Sequence, residues 1–220
     1  MDKLSRRAWA EIDLKALEHN YQTLRAMLPG GCRLLAPVKA DAYGHGAVPV
    51  ARKLEEVGID YLAVASLDEG VELRKAGIEA PILILGYTDP VWAGELMDHR
   101  LTQGVFDEET AKALSQAAVK AGKTLTVHMK ADTGMSRLGL MCDAGDLDGT
   151  VEAMARMHAL PNLCWEGIFT HFSHADGSEE YTMLQFTRFL DLLAGLEQRG
   201  ITFKIRHCAA SAAVLNYPCT

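Results

Sequence analysis

A single lysine closes a short apolar run, and a glycine-flanked loop follows it at once. Residues 34–38 lead into Lys39, and Tyr43 stands four positions later, directly before Gly44. A short apolar run that ends in loop residues is typical of a buried strand, so we expect Lys39 to end the first strand. Partial burial favours the neutral amine, which can attack a carbonyl group and form a Schiff base. Lys39 is therefore a candidate covalent anchor, and a lysine that extends from a strand end into water is the alternative.

The elements around this lysine follow a repeated order, in which an amphipathic helix closes with glycine and an apolar strand begins a few residues later. Glycine readily adopts the left-handed conformation that ends many helices, so each junction predicts a helix end. Asp107 predicts the start of one helix, and Asp176 with Glu179 predicts the start of another. The closing glycines are Gly58, Gly77, Gly122 and Gly200.

The number of strands predicts the fold class. About seven βα units favour an α/β fold of the TIM-type (β/α)8 barrel, incomplete at its C-terminal end, with the eighth strand expected beyond Thr220. A doubly wound sheet is the competitor, but no G-x-G-x-x-G follows the first strand. The expected strands lie near 33–39, 61–65, 82–85, 102–106, 124–130, 164–171 and 203–207.

In such barrels the catalytic groups lie at the carboxyl ends of the strands. The ionisable residues that end predicted strands are Lys39, Lys130, His171 and His207. We expect these four side chains on one rim. Ser211 stands near the start of a helix just after the seventh strand, where free backbone N–H groups can bind an anion. A phosphate-bearing cofactor with an aldehyde for Lys39 would use both features.

Composition bounds the partners and the location. The net charge of −7 and the lack of a basic run give no reason to expect nucleic acid or an anionic membrane surface as a partner. No apolar run approaches the length of a transmembrane helix, so we expect a cytoplasmic protein. The five cysteines are widely spaced and form no C-x-x-C. This spacing predicts reduced thiols rather than a disulfide framework or a zinc site.

Four stretches resemble the alanine racemase family, whose members depend on pyridoxal 5′-phosphate. They are residues 9–14 with Asn20, 38–46, 128–139 and 167–172. Two of these motifs are long and ordered, and the similarity extends over essentially the whole chain to Thr220. The resemblance implies one cofactor-binding barrel domain over residues 1–220, with the family's C-terminal β domain absent from this chain.

The resemblance also implies which residues hold the cofactor. Lys39 would hold pyridoxal 5′-phosphate covalently, and Tyr43 and Ser211 would hydrogen-bond its phosphate. Leu85 and His171 would line the cofactor. Each of these roles belongs to the rim that the strand order predicts.

A second set of implied roles concerns charge. Arg137 would pair with the substrate carboxylate or hold the cofactor's phenolic side. Lys130, carbamylated in many relatives, would accept a hydrogen bond from Arg137 and fix its guanidinium. An unmodified Lys130 paired with Asp132 is the alternative. His207 would orient an arginine that contacts the pyridine nitrogen and lies beyond Thr220.

The implied reaction is racemisation of a small amino acid, most closely L-alanine to D-alanine for peptidoglycan supply. A proton must leave one face of Cα and return on the other, so two bases are required. Lys39 would serve one face, and a tyrosine from the other subunit of a homodimer would serve the opposite face. None of the six tyrosines in this chain stands in the motif of that base. We therefore expect residues 1–220 alone to bind the cofactor poorly or to turn over little.

Two other classes of protein remain open. A one-domain barrel that binds pyridoxal 5′-phosphate without racemising anything fits the length, and a metal-dependent amidohydrolase could use Lys130, His171 and His207, although no H-x-H lies on the first strand. Two positions depart from the family. Ala210 stands where relatives usually have asparagine, and Pro37 stands where a β-branched residue is common. Proline is tolerable there if its nitrogen faces no partner.

Overall fold

The computed structural model describes residues 8–142, 145–218 and 220. Helices and strands alternate along it as the glycine-closed junctions predict. The helices are α1 (Leu14–Met27), α2 (Lys39–Gly44), α3 (Ala47–Glu56), α4 (Leu67–Lys75), α5 (Ala93–Asp98), α6 (Glu108–Ala121), α7 (Leu147–His158), α8 (Glu179–Gln198) and α9 (Ser211–Asn216). The strands are β1 (Leu35–Pro37), β2 (Tyr61–Val64), β3 (Ile82–Ile84), β4 (Thr102–Val105), β5 (Leu125–Asp132), β6 (Leu140–Met141), β7 (Leu163–Phe169) and β8 (Ile205–His207).

The strands form one curled parallel sheet in the order β1-β2-β3-β4-β5-β7-β8, and β6 pairs only with the end of β5. The seven strands of this path confirm the predicted βα count and the barrel class of fold. Among the described residues no pairing joins β1 to β8, so the curled sheet is an open half-barrel. Parallel pairing brings the carboxyl ends of all seven strands to the same rim.

Pro37 lies on β1, which pairs on one side with β2. Backbone N–H groups alternate in direction along a strand, and the N–H of Val38 donates to the carbonyl of Ala63 at 2.7 Å. The nitrogen of Pro37 therefore points away from β2, towards the open side of β1. Proline removes no ladder hydrogen bond at this position, as the sequence requires.

The helix ends agree with the sequence at most positions. The predicted closing glycines Gly58, Gly77, Gly122 and Gly200 all have positive φ, between 62° and 85°. Asp107 caps α6 by accepting from the N–H of Thr110 at 2.7 Å, as predicted. The expected cap at Asp176 is wrong, because α8 begins at Glu179 and Ser178, two residues after Asp176, is its cap. The hydroxyl of Ser178 accepts from the N–H of Tyr181.

Apolar side chains pack on both faces of the sheet. The larger apolar layer lies between the outer face of the strands and the helices, and it includes the fully buried Leu62, Ile82 and Leu114. Each such side chain contributes about 1.5–3 kcal/mol relative to its exposed state. A smaller cluster of Tyr61, Ala63 and Leu83 lies on the inner face. Among the described residues, no helix is long and apolar enough to cross a membrane.

Candidate active site

The loop after β1 is a left-handed helical turn. Ala40, Asp41, Ala42 and Tyr43 have φ values of 51°, 54°, 52° and 56°. Each non-glycine residue in this conformation costs roughly 1–2 kcal/mol, so four in succession are held by their surroundings rather than by local preference. Lys39 begins this turn two residues after β1 ends, which corrects the expectation that it ends the strand itself.

Carboxylates clamp the turn from both ends. One oxygen of Glu69 accepts from the N–H of Ala40 at 2.8 Å, and the other accepts from the N–H of Ala65 at 2.6 Å. Asp41 accepts from the N–H of Ala47 at 2.6 Å. Hydrogen bonds to ionised carboxylates are stronger than neutral ones, and they offset the backbone strain. Lys39 is half-buried, and its Nζ lies 5.9 Å from the ring centre of Tyr43.

On β5 the side chains alternate in polarity. Leu125, Val127, Met129 and Ala131 belong to the outer apolar layer. The alternate positions therefore face the inside of the curled sheet, because successive side chains of a strand point to opposite faces. These inner residues are Thr126, His128, Lys130 and Asp132. From this set the sequence assigned a site role to Lys130 and named Asp132 only as its possible ion-pair partner, although the period of two was visible and could have identified His128 as well.

Asp132 fixes the loop that carries Arg137. Its carboxylate accepts from the N–H groups of Gly134, Ser136 and Arg137 at 2.9, 3.0 and 3.0 Å, and its side chain is buried. Three of its acceptor sites are thereby used within the loop, so Asp132 is committed to backbone amides rather than paired directly with Lys130. Tyr181 of α8 adds a hydrogen bond to the carbonyl of Gly134 at 2.8 Å.

Lys130 is a buried amine without a close counterion among the described residues. Its Nζ lies over the ring of Phe169, 4.3 Å from the ring centre. Burial, and then the charge of Arg137, lower the pKa of Lys130 to about 8 against the opposing effect of Asp132. The sequence predicted that Lys130 ends its strand, but it lies two residues before the end of β5.

His171 links the charged residues of the rim. It lies two residues after β7 ends, and burial lowers its pKa, followed by the positive charges of Lys130, Arg137 and Lys39. Lys39 follows β1, Lys130 lies near the end of β5 and Arg137 is in the loop after β5, so the parallel strand order places these three cations at the same rim as His171. His207 ends β8 at the same edge, so all four residues that the sequence assigned to one rim lie at the carboxyl ends of the strands.

His207 ends β8 as predicted and stacks on Phe169, with ring centres 4.7 Å apart and an angle of 5° between the rings. Its Nε2 lies 3.2 Å from Nδ1 of His128. Burial, followed by the charges of His128 and Lys130, lowers the pKa of His207 to about 3. This imidazole is consequently neutral at physiological pH.

The remaining predicted residues lie at the same edge of the sheet. Leu85 follows β3 directly and packs against the inner cluster. Tyr43 is 61% exposed. Ser211 is exposed and is the first residue of α9, whose cap position is Ala210. Alanine has no side-chain oxygen to occupy the N–H groups of the first turn, so these groups are left for another acceptor.

The donor set fits a phosphorylated aldehyde. An amine on a braced turn, a phenol, a helix start and a guanidinium are the groups that an aldehyde, a phosphate and a carboxylate require. A separate cavity of about 450 Å³ lies between α1 and the left-handed turn; it is lined by Leu17, Val38, Tyr43 and others, but not by Lys39. We place the candidate site at the cluster of charged residues and not in this cavity, because the aldehyde needs an amine and the phosphate and carboxylate need cationic partners. Among the described residues, no group of three or more His, Cys, Asp or Glu side chains is arranged to hold a metal ion.

Comparison with known proteins gives one consistent result. The family model for the N-terminal domain of alanine racemase matches residues 12–220. The alanine racemase of Desulforamulus reducens is 46% identical over 211 residues, which cover 96% of this chain and 56% of that protein. The alanine racemase of Desulfovibrio desulfuricans is 44% identical over 219 residues, which cover 99% of this chain and 58% of that protein.

A solved structure matches the fold as well. The alanine racemase of Clostridium difficile 630, in complex with cycloserine, superimposes with a TM-score of 0.93 at 37% sequence identity. The match covers 99% of this chain and 59% of that one. The chain thus spans rather more than half the length of the relatives it matches. The comparisons favour neither the one-domain barrel without racemase activity nor the metal-dependent amidohydrolase.

Proposed function

This chain belongs to the alanine racemase family, and from that premise we propose that the protein interconverts L- and D-alanine with pyridoxal 5′-phosphate as cofactor. The family is pyridoxal-phosphate-dependent, and the donor set of the rim suits that cofactor. When bound, the cofactor's ring takes up the electron pair left on Cα after a proton is removed. The placement of Lys39, Lys130, Arg137 and His171 around the carboxyl ends of the parallel strands is the observation that carries the proposal.

The left-handed turn gives Lys39 its proposed role. The turn fixes the backbone of Lys39 and Tyr43 relative to each other, so the amine and the phenol approach one molecule from a constant direction. We propose that Lys39 anchors the cofactor and moves the proton at Cα on one face. Tyr43 and Ser211 would bind the phosphate, and Leu85 and His171 would exclude water from the ring.

Arg137 is proposed to bind the substrate carboxylate or the phenolic side of the cofactor. The backbone bonds from Asp132 fix where its side chain starts, but the guanidinium also needs an anionic partner. Neutral Lys130 can react with CO₂ to form a carbamate and release a proton, which converts a repelling cation into an acceptor for Arg137. The lowered pKa of Lys130 supplies the neutral amine that this step consumes.

Carbamylation can be tested in the full-length protein equilibrated with ¹³C-labelled bicarbonate. We expect a carbamate carbon signal that Lys130→Met abolishes and that Lys39→Ala retains. A signal that survives Lys130→Met would place the modification elsewhere. Absence of any signal at saturating bicarbonate would leave Lys130 as an unmodified amine.

The second base and the assembly are part of the same proposal. The reaction needs a base on the opposite face of Cα, and we propose a tyrosine outside residues 1–220, supplied by the second subunit of a homodimer in the cytoplasm. Exposure of Tyr43 and Trp9, at 61% and 70%, is compatible with a partner covering this end of the barrel. Light scattering on the full-length protein would test dimer formation.

The decisive experiment identifies the lysine. Full-length protein is incubated with pyridoxal 5′-phosphate, reduced with borohydride and mapped by peptide mass spectrometry. We expect the adduct on Lys39, and in Lys39→Ala we expect loss of the adduct and a fall in racemisation by a factor of about 10²–10⁴ or more. Lys112→Ala is the matched control, because Lys112 pairs with Glu108 on the surface of α6. An adduct on any other lysine would overturn the assignment.

A further inference from the structure

Five polar side chains form a line through the inside of the curled sheet, from its functional rim towards the opposite end of the strands. The hydroxyl of Tyr61 lies 2.6 Å from that of Thr102 and donates to Oε2 of Glu166 at 3.1 Å. The same Oε2 lies 3.6 Å from Nε2 of His128. Nδ1 of His128 lies 3.2 Å from Nε2 of His207 at the rim.

The charge state of Glu166 determines which groups along this line donate hydrogen bonds and which accept them. Interaction with His128, and also the hydrogen bond from Tyr61, lower the pKa of Glu166 against the opposing effect of burial, so it is ionised at neutral pH. An ionised carboxylate accepts hydrogen bonds and cannot donate them. Tyr61 must therefore donate to Glu166, and its oxygen accepts from Thr102.

The same argument determines which ring nitrogen of His128 carries a proton. Nε2 of His128 is fully buried and has no hydrogen-bond partner at ordinary distance in the described part of the chain. At 3.6 Å the oxygen of Glu166 is too far for a hydrogen bond, but it attracts a ring N–H and repels a ring lone pair. Nε2 therefore carries the proton, and in the neutral ring Nδ1 is left as an acceptor.

The position of the proton on His207 follows from that on His128. Only one hydrogen lies between Nδ1 of His128 and Nε2 of His207, and if His128 accepts, His207 must donate. The stack on Phe169 holds the plane of the His207 ring, so the donated hydrogen bond keeps its direction. Nδ1 of His207 then has a free lone pair.

We infer that Glu166 is a positioning residue that sets the tautomers of His128 and His207, so that His207 offers Nδ1 as a hydrogen-bond acceptor. A guanidinium or ammonium group is the chemistry that such an acceptor binds. The inference rests on the geometry of the line and not on racemisation. It deepens the proposed function only in stating that the group held by His207 is a donor.

The test is nitrogen NMR of ¹⁵N-histidine-labelled full-length protein, because the chemical shift of each ring nitrogen reports whether it carries a proton. In the parent protein we expect a proton on Nε2 of both His128 and His207, and none on Nδ1 of His207. His128 as an imidazolium, with His207 protonated at Nδ1, would overturn the inference. This readout needs no catalysis, so its failure is separate from failure of the proposed reaction.

Two variants assign the effect to the carboxylate. Glu166→Leu removes the acceptor, and we expect the tautomer ratio of His128 to change by a factor of about ten or more. Tyr61→Phe is the matched control, since it removes a donor to Glu166 and leaves the carboxylate; it should keep the parent tautomers. An unchanged ratio in Glu166→Leu, or the same change in Tyr61→Phe, would contradict the inference. If Glu166→Leu does not fold, the parent spectrum still decides the tautomers.

Discussion

The loops after β1 and β5 place cations at the same rim by different means. In the loop after β1, four non-glycine residues adopt the left-handed conformation, and the braces come from Glu69 and Asp41. In the loop after β5, Asp132 binds three amides of its own loop, and glycines occupy the φ values of 133° at Gly134 and 132° at Gly139.

The difference shows two ways to fix a functional side chain. The loop after β5 is locally more consistent, because glycines occupy two of its three positive-φ positions, Ser136 at 56° being the third, and its carboxylate lies at its own start. The loop after β1 is strained, and it is maintained by Glu69 of α4 together with the hydrogen bond from Ala47 to its own Asp41. The loop with glycines should lose most when its internal carboxylate is removed, whereas the strained loop should gain stability when one of its residues becomes glycine.

The largest effect is expected from Asp132→Ala, which removes a buried carboxylate and leaves three part-buried N–H groups without their acceptor. We expect a loss of about 3–5 kcal/mol in the free energy of unfolding, measured by urea denaturation of the full-length protein. Asp191→Ala is the control, because Asp191 is exposed on α8, and it should change stability by less than about 0.5 kcal/mol. A loss below about 1 kcal/mol for Asp132→Ala would show that the loop does not depend on this carboxylate.

Lys130→Met tests the buried amine that precedes this loop. The pKa of Lys130 is about 8 in the fold and 10.5 for an unperturbed lysine, so between these values the native state binds fewer protons than the unfolded state. The parent's stability therefore rises with pH through that window. In CO₂-free buffer the methionine variant should be more stable at pH 7 by on the order of 2–3 kcal/mol, and this advantage should shrink towards zero above about pH 10.

Melting temperatures of parent and variant across pH 7–10.5 would measure this effect. Lys112→Met, on the surface of α6, is the control and should show no such trend. A difference between Lys130→Met and the parent that does not vary with pH would contradict the burial of a titrating amine.

The smallest effect is expected from Ala40→Gly in the strained loop. Glycine removes roughly 1–2 kcal/mol of left-handed strain but costs about 0.5–1 kcal/mol in chain entropy, so the variant should be more stable by up to about 1 kcal/mol. Ala117→Gly, inside α6, should instead destabilise by about 0.5–1 kcal/mol. Calorimetry of both variants would compare them, and a destabilised Ala40→Gly would mean that the turn is not strained.

The sequence predicted the elements whose signals are local. Glycine at helix ends, apolar strands and Asp107 at the start of α6 specify structure within a few residues, and the strand count then gave the barrel. Barrel topology places Lys39 and His207 at the rim, although only His207 ends its strand as predicted and Lys39 lies two residues beyond β1. The left-handed turn was not predicted, because four consecutive non-glycine residues rarely adopt this conformation by local preference, and Glu69 supports it from α4.

Other parts of the site were missed for a different reason. His128 and Glu166 sit on separate strands, and their contact depends on the register of β5 and β7. Asp176 was preferred over Ser178 as a helix cap because both residue types suit that position, and the sequence does not distinguish them. The polar alternation on β5 was available in the sequence and would have indicated an inward-facing set of side chains.

The proline on β1 bears on self-association. An uncovered margin of a sheet invites strands of other molecules to join it and so promotes aggregation. Here the nitrogen directed outward at Pro37 carries no hydrogen, and β1 is only three residues long. A strand from a second copy would lack one backbone hydrogen bond at Pro37. A segment with no carbonyl group opposite that residue could still pair with β1.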